Sequence, residues 1–201
     1  MSGERRRAVI ALGGNMGDRT EILRRGMSDI DELDGTRVVI ASSLYETPAL
    51  TMHGIDETVR PYLNAVVIVT TDRNPHELLS LLQTIEDRHG RRRGERWGSR
   101  TLDLDIISMD GIELATETLE IPHPAAWQRA FVLAPWHEID PDAQIPGRGS
   151  VEQLLSVATD RVLLYAESGL GARGREGVST DRGLPLRCPT EGGDAGTATE
   201  R

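Results

Sequence analysis

The sequence contains no lysine; all 23 of its basic residues are arginine. That absence excludes lysine Schiff bases, a lysine general base and the lysine-containing phosphate loop. Cysteine is almost missing too. Cys188 stands alone in a glycine-rich stretch. This argues against a disulfide framework, a thiolate metal site and a thiol nucleophile, and fits a reducing, cytoplasmic setting. Aromatic residues are scarce: Phe131, three Trp and three Tyr. No apolar run approaches the length of a membrane span, and the one at residues 8–12 is too short for a secretory signal. Net positive charge is also lacking, since 32 acidic residues against 23 basic ones give −9. A molecule-wide electrostatic grip on nucleic acid or an anionic membrane is therefore not expected.

What is present reads as one domain with a tail. The chain has 201 residues, 38% of them hydrophobic, which suits a single core. From Ser168 onward glycine is frequent, aromatics are absent and no period of either kind appears. Residues 1–167 are read as the folded domain and 168–201 as a disordered tail.

Within the domain, residues 8–12 are a short apolar run followed by Gly13 and Gly14, a buried strand and a glycine turn. Asp18 and Glu21 are spaced as an N-cap and its partner. Ile22, Leu23, Met27, Ile30 and Leu33 then recur at helical spacing, and Gly35 stops the helix. Residues 38–45 read as one strand, which Thr47-Pro48 ends. Residues 49–61 have no period and read as a long loop, often a functional feature in a compact domain. Residues 62–71 form a strand. Asn74 caps the next helix, with Pro75 first and Glu77 third. Leu78, Leu79, Leu82 and Ile85 make its apolar stripe, and Gly90 ends it. After a polar loop at 91–100, residues 102–109 form a strand, Asp110-Gly111 a hairpin turn and residues 112–114 the returning strand. Residues 124–136 read mostly as helix. Ser150 caps a short helix reaching Ala158, and residues 162–165 make a last strand. The order βαββαβ predicts a ferredoxin-like α+β core: a mainly antiparallel sheet with helices packed on it, plus extra C-terminal helices and a strand.

The run from Thr101 to Ile107 carries the most chemistry. On a strand, Leu102, Leu104 and Ile106 share one face, while Thr101, Asp103 and Asp105 share the other. The two carboxylates sit about 6.6 Å apart at the backbone. Like charges at that spacing repel and ask for a cation between them. Mg²⁺ suits the pair, because it is held by one or two carboxylates together with substrate phosphates. A lone D-x-D pair is more often a solvated strand face. Here residues 91–100 precede it, and five of those ten are arginine. Guanidinium forks match phosphate oxygens, so metal on one side and arginines on the other describe a polyphosphate site. Trp97 in that loop suits stacking on a flat ring. Taken alone, the arginine run reads as a solvated cluster or an RNA-binding loop. The turn Gly13-Gly14-Asn15-Met16-Gly17-Asp18 fails both the dinucleotide and the P-loop templates and reads as a tight turn before a capped helix. His123, between two prolines before a helix, suits phosphate contact or proton transfer. His89 sits near a helix C-terminus, where a cation is favourable.

Residues 96–106, Arg-Trp-Gly-Ser-Arg-Thr-Leu-Asp-Leu-Asp-Ile, resemble the signature of the 6-hydroxymethyl-7,8-dihydropterin pyrophosphokinase family of folate biosynthesis. Residues 12–18, 43–49, 62–65, Gln83, Glu86, Gly90, Arg91, Pro122-His123, 129–133 and Pro135 match the family in the same order, covering about residues 8–166. Gly14 stands where the family usually has Ser, and Pro124 where some relatives carry a phosphate-binding Tyr. The loop at 49–61 is longer than in short members, and the tail has no counterpart. The resemblance implies Mg²⁺-dependent transfer of pyrophosphate from ATP to the hydroxymethyl group of the pterin, with AMP released. It implies that Asp103 and Asp105 hold two Mg²⁺ ions. Arg91, Arg93 and Arg96 would act on the phosphates; Gln83, Arg100, Ile106, His123 and Arg129 would join them in holding ATP. Thr47, Pro48, Leu50, Tyr62, Asn64, Trp97 and Phe131 would form the pterin pocket, and Glu86 is the polar position beside the phosphate loop. A monomer without nucleic-acid or membrane partners is expected. The rival is a non-catalytic ferredoxin-like module that binds RNA or senses a ligand; net charge and the shortage of aromatics stand against the RNA form.

Overall fold

The computed structural model describes residues 4–51, 54–55, 58–90 and 100–166. Arg91, Arg93, Arg96 and Trp97, and the tail expected at 168–201, lie outside the described residues.

The first part of the chain supplies three strands of the central sheet, a helix and a separate hairpin. β1 (Arg6–Gly14) leads to α1 (Arg19–Asp31), then β2 (Thr36–Ala41), β3 (Leu44–Thr47) and a small hairpin of β4 (Leu50–Thr51) and β5 (Gly54–Ile55). β6 (Tyr62–Thr71), α2 (Pro75–Arg88) and β7 (Asp103–Met109) complete the βαββαβ core. Beyond it come a hairpin of β8 (Leu114–Ala115) and β9 (Glu120–Ile121), a 3₁₀ turn (Ala126–Gln128), α3 (Ala130–Ile139), a hairpin of β10 (Gln144–Ile145) and β11 (Gly149–Ser150), α4 (Val151–Val157) and β12 (Leu163–Ala166). The sheet runs β12-β3-β6-β1-β7, with β2 also on β6, and every pairing is antiparallel. This is the ferredoxin-like order that the sequence predicts.

All three predicted caps are present, with Ser150 Oγ accepting the Gln153 amide at 3.2 Å at the start of α4. Asp18 accepts the Glu21 amide at 3.1 Å. Asn74 and Glu77 satisfy each other's amides in a capping box, with Pro75 at the helix start. Alternation along the strands then gives the sheet two buried faces. On one, Ile10, Leu12, Leu63, Val67 and Leu104 pack against Leu23 and Ile30 of α1 and Leu78 and Leu82 of α2. On the other, Val9, Val66, Ile68 and Ile107 pack against Val132, Leu133 and Trp136 of α3 and Val151 at the start of α4. Three layers result, and this second face carries the carboxylate pair at its open end.

Four local expectations are corrected. The strand expected over 38–45 is two strands lying end to end along β6. They part at Ser42 and Ser43, where Ser42 Oγ accepts the Val66 amide and Ser43 gives its amide and hydroxyl to Glu138. The loop expected over 49–61 contains the β4–β5 hairpin. The strand after Asp110-Gly111 pairs with β9 instead of returning along β7, because the Ile107 carbonyl of β7 already accepts the His123 amide at 2.8 Å. The helix expected over 124–136 is broken at Arg129, which is extended (φ −113, ψ 106). There the Asp160 carboxylate caps Ala130, accepting its amide at 2.8 and 2.9 Å.

Candidate functional site

The site is built on the end of β7. Leu102, Leu104 and Ile106 are buried in the core below α1 and α2, so Asp103 and Asp105 project from the opposite face. The start of this strand is tied to the first turn of the chain. Asn15 donates its amide to the Arg100 carbonyl at 2.9 Å, and its side-chain oxygen accepts the Arg100 amide at 2.9 Å. Gly14 permits the approach: a Cβ there would stand 2.3 Å from the Thr101 carbonyl oxygen. The glycine turn is therefore a clasp on the carboxylate-bearing strand as well as a turn before a capped helix.

Across the sheet, register sets the neighbours. Gly13 of β1 lies between Asn64 of β6 and Asp103 of β7. Asn64 is buried, and its Nδ2 donates to Thr47 Oγ1 at 3.0 Å. Tyr62, two residues before Asn64, stands on the same face and pairs with Thr47. Burial pushes its phenol pKa up; the Arg100 guanidinium opposes the shift and the Asp103 carboxylate adds to it. Phe131 packs from α3 onto this face, with the Arg129 guanidinium 5.6 Å from its ring centre. Pro48 and Thr47 line a cleft of about 220 Å³ with Val59 and Pro61. Leu50 is in β4, and its side chain is outside the described residues. The structure thus gathers Thr47, Tyr62, Asn64 and Phe131 on the carboxylate face.

A second cleft of about 310 Å³ opens on the other side of Asp105. It is within the usual size range for small-molecule pockets. Asp105, Ile106, Leu79, His123 and residues 116–120 line it. Gln83 is half-buried on α2, one turn beyond Leu79 and so on the same helical face. The His123 ring is fixed by its neighbour, as the Ala125 amide donates to Nδ1 at 3.2 Å. An accepting Nδ1 leaves the proton of the neutral ring on Nε2. Burial favours that neutral ring by lowering the His123 pKa, Asp105 opposes the shift, and Arg129 reinforces it.

Electrostatics converge on the carboxylate pair. Burial raises the Asp105 pKa, and Asp103 raises it further; His123, Arg129 and Arg100 pull it back. Arg100 meets Asp103 directly in an ion pair. Among the described residues no group of three or more His, Cys, Asp or Glu could hold a metal. The donor set is therefore two hard carboxylate oxygens' worth of protein ligand, which fits Mg²⁺ completed by water and phosphate and does not fit a caged metal such as structural zinc.

Sequence reasoning did not single out residues 116–120, Asn15 as a clasp, or the partner of Glu86. The polar run Thr116-Glu117-Thr118 between two short strands was the available signal for the first. Glu86 is buried, and its Oε1 accepts the Leu104 amide at 2.7 Å. No described helix is long and apolar enough to cross a membrane.

Comparison with known proteins points one way. The 7,8-dihydro-6-hydroxymethylpterin-pyrophosphokinase (HPPK) family model matches residues 9–141. The chain is 43% identical over 132 residues to the 2-amino-4-hydroxy-6-hydroxymethyldihydropteridine pyrophosphokinase of Bacillus subtilis, covering 66% of this chain and 77% of that one. It is 36% identical over 157 residues to the Haemophilus influenzae protein of the same name, covering 78% and 96%. Among solved structures, the wild-type HPPK-DHPS of Plasmodium falciparum with pteroate matches with a TM-score of 0.61 at 14% identity. That match covers 78% of this chain but 43% of the Plasmodium chain, and it speaks for the fold alone.

Proposed function

The chain belongs to the 7,8-dihydro-6-hydroxymethylpterin-pyrophosphokinase family, and we propose that the residues on its carboxylate face carry out that family's reaction. ATP gives its terminal pyrophosphoryl group to the hydroxymethyl oxygen of 6-hydroxymethyl-7,8-dihydropterin in folate synthesis. The hydroxymethyl oxygen bonds to the β-phosphorus. The bond from that phosphorus to the oxygen shared with the α-phosphorus breaks, AMP leaves with that oxygen, and the hydroxyl proton is released.

One observation carries the assignment of roles. Asp103 and Asp105 stand between a buried amide, Asn64, and a cleft of about 310 Å³ lined by Asp105 and His123. Asn64, oriented by Thr47, presents its amide to the pterin edge. Tyr62 and Phe131 offer flat faces, and Pro48, Leu50 and Trp97 complete that subsite. The cleft lined by Ile106, residues 116–120 and His123 takes the nucleotide, with Gln83 at its α2 side. Arg100, Arg129 and the His123 Nε2–H donate to phosphate oxygens, joined by Arg91, Arg93 and Arg96. Such transfer needs alignment and charge neutralisation more than covalent chemistry by the protein. Two Mg²⁺ ions held by Asp103 and Asp105 would supply neutralisation across the phosphates and acidify the attacking hydroxyl.

The rival RNA-binding module would need a sheet face that welcomes a polyanionic strand beside its stacking rings; here the face that bears Tyr62 also carries the carboxylates of Asp103 and Asp105. The test is AMP release from ATP, with and without the pterin, in Mg²⁺ and then in EDTA. AMP formation that requires both pterin and Mg²⁺ is expected. AMP formation indifferent to pterin, or none from the folded protein, would overturn the assignment.

A further inference from the structure

β7 is an edge strand of the sheet among the described residues: β1 covers one of its edges, and no described strand pairs with the other over residues 103–106. Edge amides in a buried position need an acceptor from somewhere else. For Leu104 that acceptor is a side chain. Glu86 of α2, 1% exposed, takes the Leu104 amide on Oε1 at 2.7 Å. Leu104 is the residue between Asp103 and Asp105, so this hydrogen bond holds the Asp103–Leu104 peptide, one of the two that join the site carboxylates.

The choice of residue is costly. Burying a carboxylate is unfavourable unless hydrogen bonds and opposite charge offset it, whereas a shorter polar side chain or an apolar contact would close the α2–β7 interface more cheaply. The rest of the α2 stripe does close it that way, through Leu78, Leu82 and Ile85. The hydrogen bond restrains the peptide it reaches, and a carboxylate or a carboxamide oxygen of this reach can accept it. That restraint matters here because the plane of the Asp103–Leu104 peptide bears directly on how Asp103 leaves the strand and, through Leu104, on the spacing to Asp105.

We propose that Glu86 is a positioning residue for the metal-holding pair. Its reach to the Leu104 amide fixes the separation and aim of Asp103 and Asp105. It touches neither substrate nor the reacting atoms, and acts from the far side of the strand. The inference rests on the reading of Asp103 and Asp105 as metal ligands. Groups that orient metal ligands typically change metal affinity about 10- to 100-fold when removed.

Two variants separate reach from charge. Glu86→Asp keeps the charge and shortens the reach by one methylene. Glu86→Gln keeps the reach and an acceptor oxygen and loses the charge. The probe is Mn²⁺, titrated by electron paramagnetic resonance into full-length protein with α,β-methylene-ATP, alongside pterin binding and turnover. Glu86→Asp is expected to weaken Mn²⁺ binding about tenfold or more and lower kcat in step. Glu86→Gln should stay within about threefold of wild type on both. Pterin affinity, set at β3 and β6, should not move in either. Equal Mn²⁺ affinity in wild type and Glu86→Asp would overturn the proposal. So would Glu86→Gln losing as much as Glu86→Asp, which would make charge the operative property. Failure of the wild type itself to bind Mn²⁺ with the nucleotide would instead overturn the underlying metal assignment.

Discussion

Arg100 rests its guanidinium on the carboxylate of Asp103, three residues further along the chain. The arginine meets one oxygen of that carboxylate, Oδ2. Its backbone cannot follow the side chain away, because Asn15 holds it at both the amide and the carbonyl. Arg100 can therefore release Asp103 and turn to phosphate by side-chain rotation alone. Arg100→Ala should leave Mn²⁺ affinity equal to or tighter than that of wild type, while turnover falls about 100-fold through the lost phosphate contact. Metal titration and steady-state kinetics on the same preparation check both parts.

Asp105 stores a repulsion that is useful only when a cation is present. Its pKa is raised by burial first and by Asp103 second. A carboxyl with a raised native pKa binds its proton more tightly folded than unfolded, so its charge costs stability as pH rises. In EDTA, Asp105→Asn should melt several degrees above wild type at neutral pH. The gap should close at acid pH, where both side chains are neutral, and open as pH rises through the raised Asp105 value. Mg²⁺ with nucleotide should narrow or reverse it. The same substitution should abolish turnover, and thermal melts across pH with parallel assays read every part of this.

His123 is expected to act as a neutral donor. The Ala125 amide on Nδ1 fixes the tautomer, and burial holds the ring pKa down. His123→Ala should lower kcat/KM for ATP about 10- to 100-fold and leave pterin affinity unchanged. Isothermal titration with each ligand separately distinguishes the two.

Thr47 orients the Asn64 amide. The contact at 3.0 Å makes Thr47 Oγ1 the acceptor for Asn64 Nδ2. Thr47→Val preserves shape and removes that acceptor, leaving a buried donor that costs about 1–3 kcal/mol. The pterin KM should rise about tenfold or more, with the KM for ATP unchanged. Steady-state kinetics with each substrate varied in turn provide the check.

These particulars also mark where the sequence is readable. Asp18, Asn74, Pro75 and Glu77 cap helices within four residues of their partners, so short-range spacing predicts them. Alternation along residues 102–106 separates core from site because each strand residue answers only to the sheet's two faces. The readings that fail depend on distant partners. Ser43 parts β2 from β3 because Glu138, 95 residues later, takes its amide and hydroxyl. Arg129 stays extended because Asp160 caps the following residue from 30 positions away. Glu86 breaks an apolar stripe, and its oxygen meets the Leu104 amide on β7, 18 residues away. The aspartate pair was legible in a local pattern, whereas the groups that orient it were not, since no period records a tertiary hydrogen bond.

The most direct test is a crystal structure of the protein with 6-hydroxymethyl-7,8-dihydropterin, α,β-methylene-ATP and Mg²⁺, the analogue being inert at the bond the reaction breaks. The account predicts the pterin edge on Asn64, the nucleoside in the cleft beside His123 and residues 116–120, and metal density on Asp103 and Asp105 between them. Ligands bound with no metal on that pair, or with the pterin away from Asn64, would contradict it.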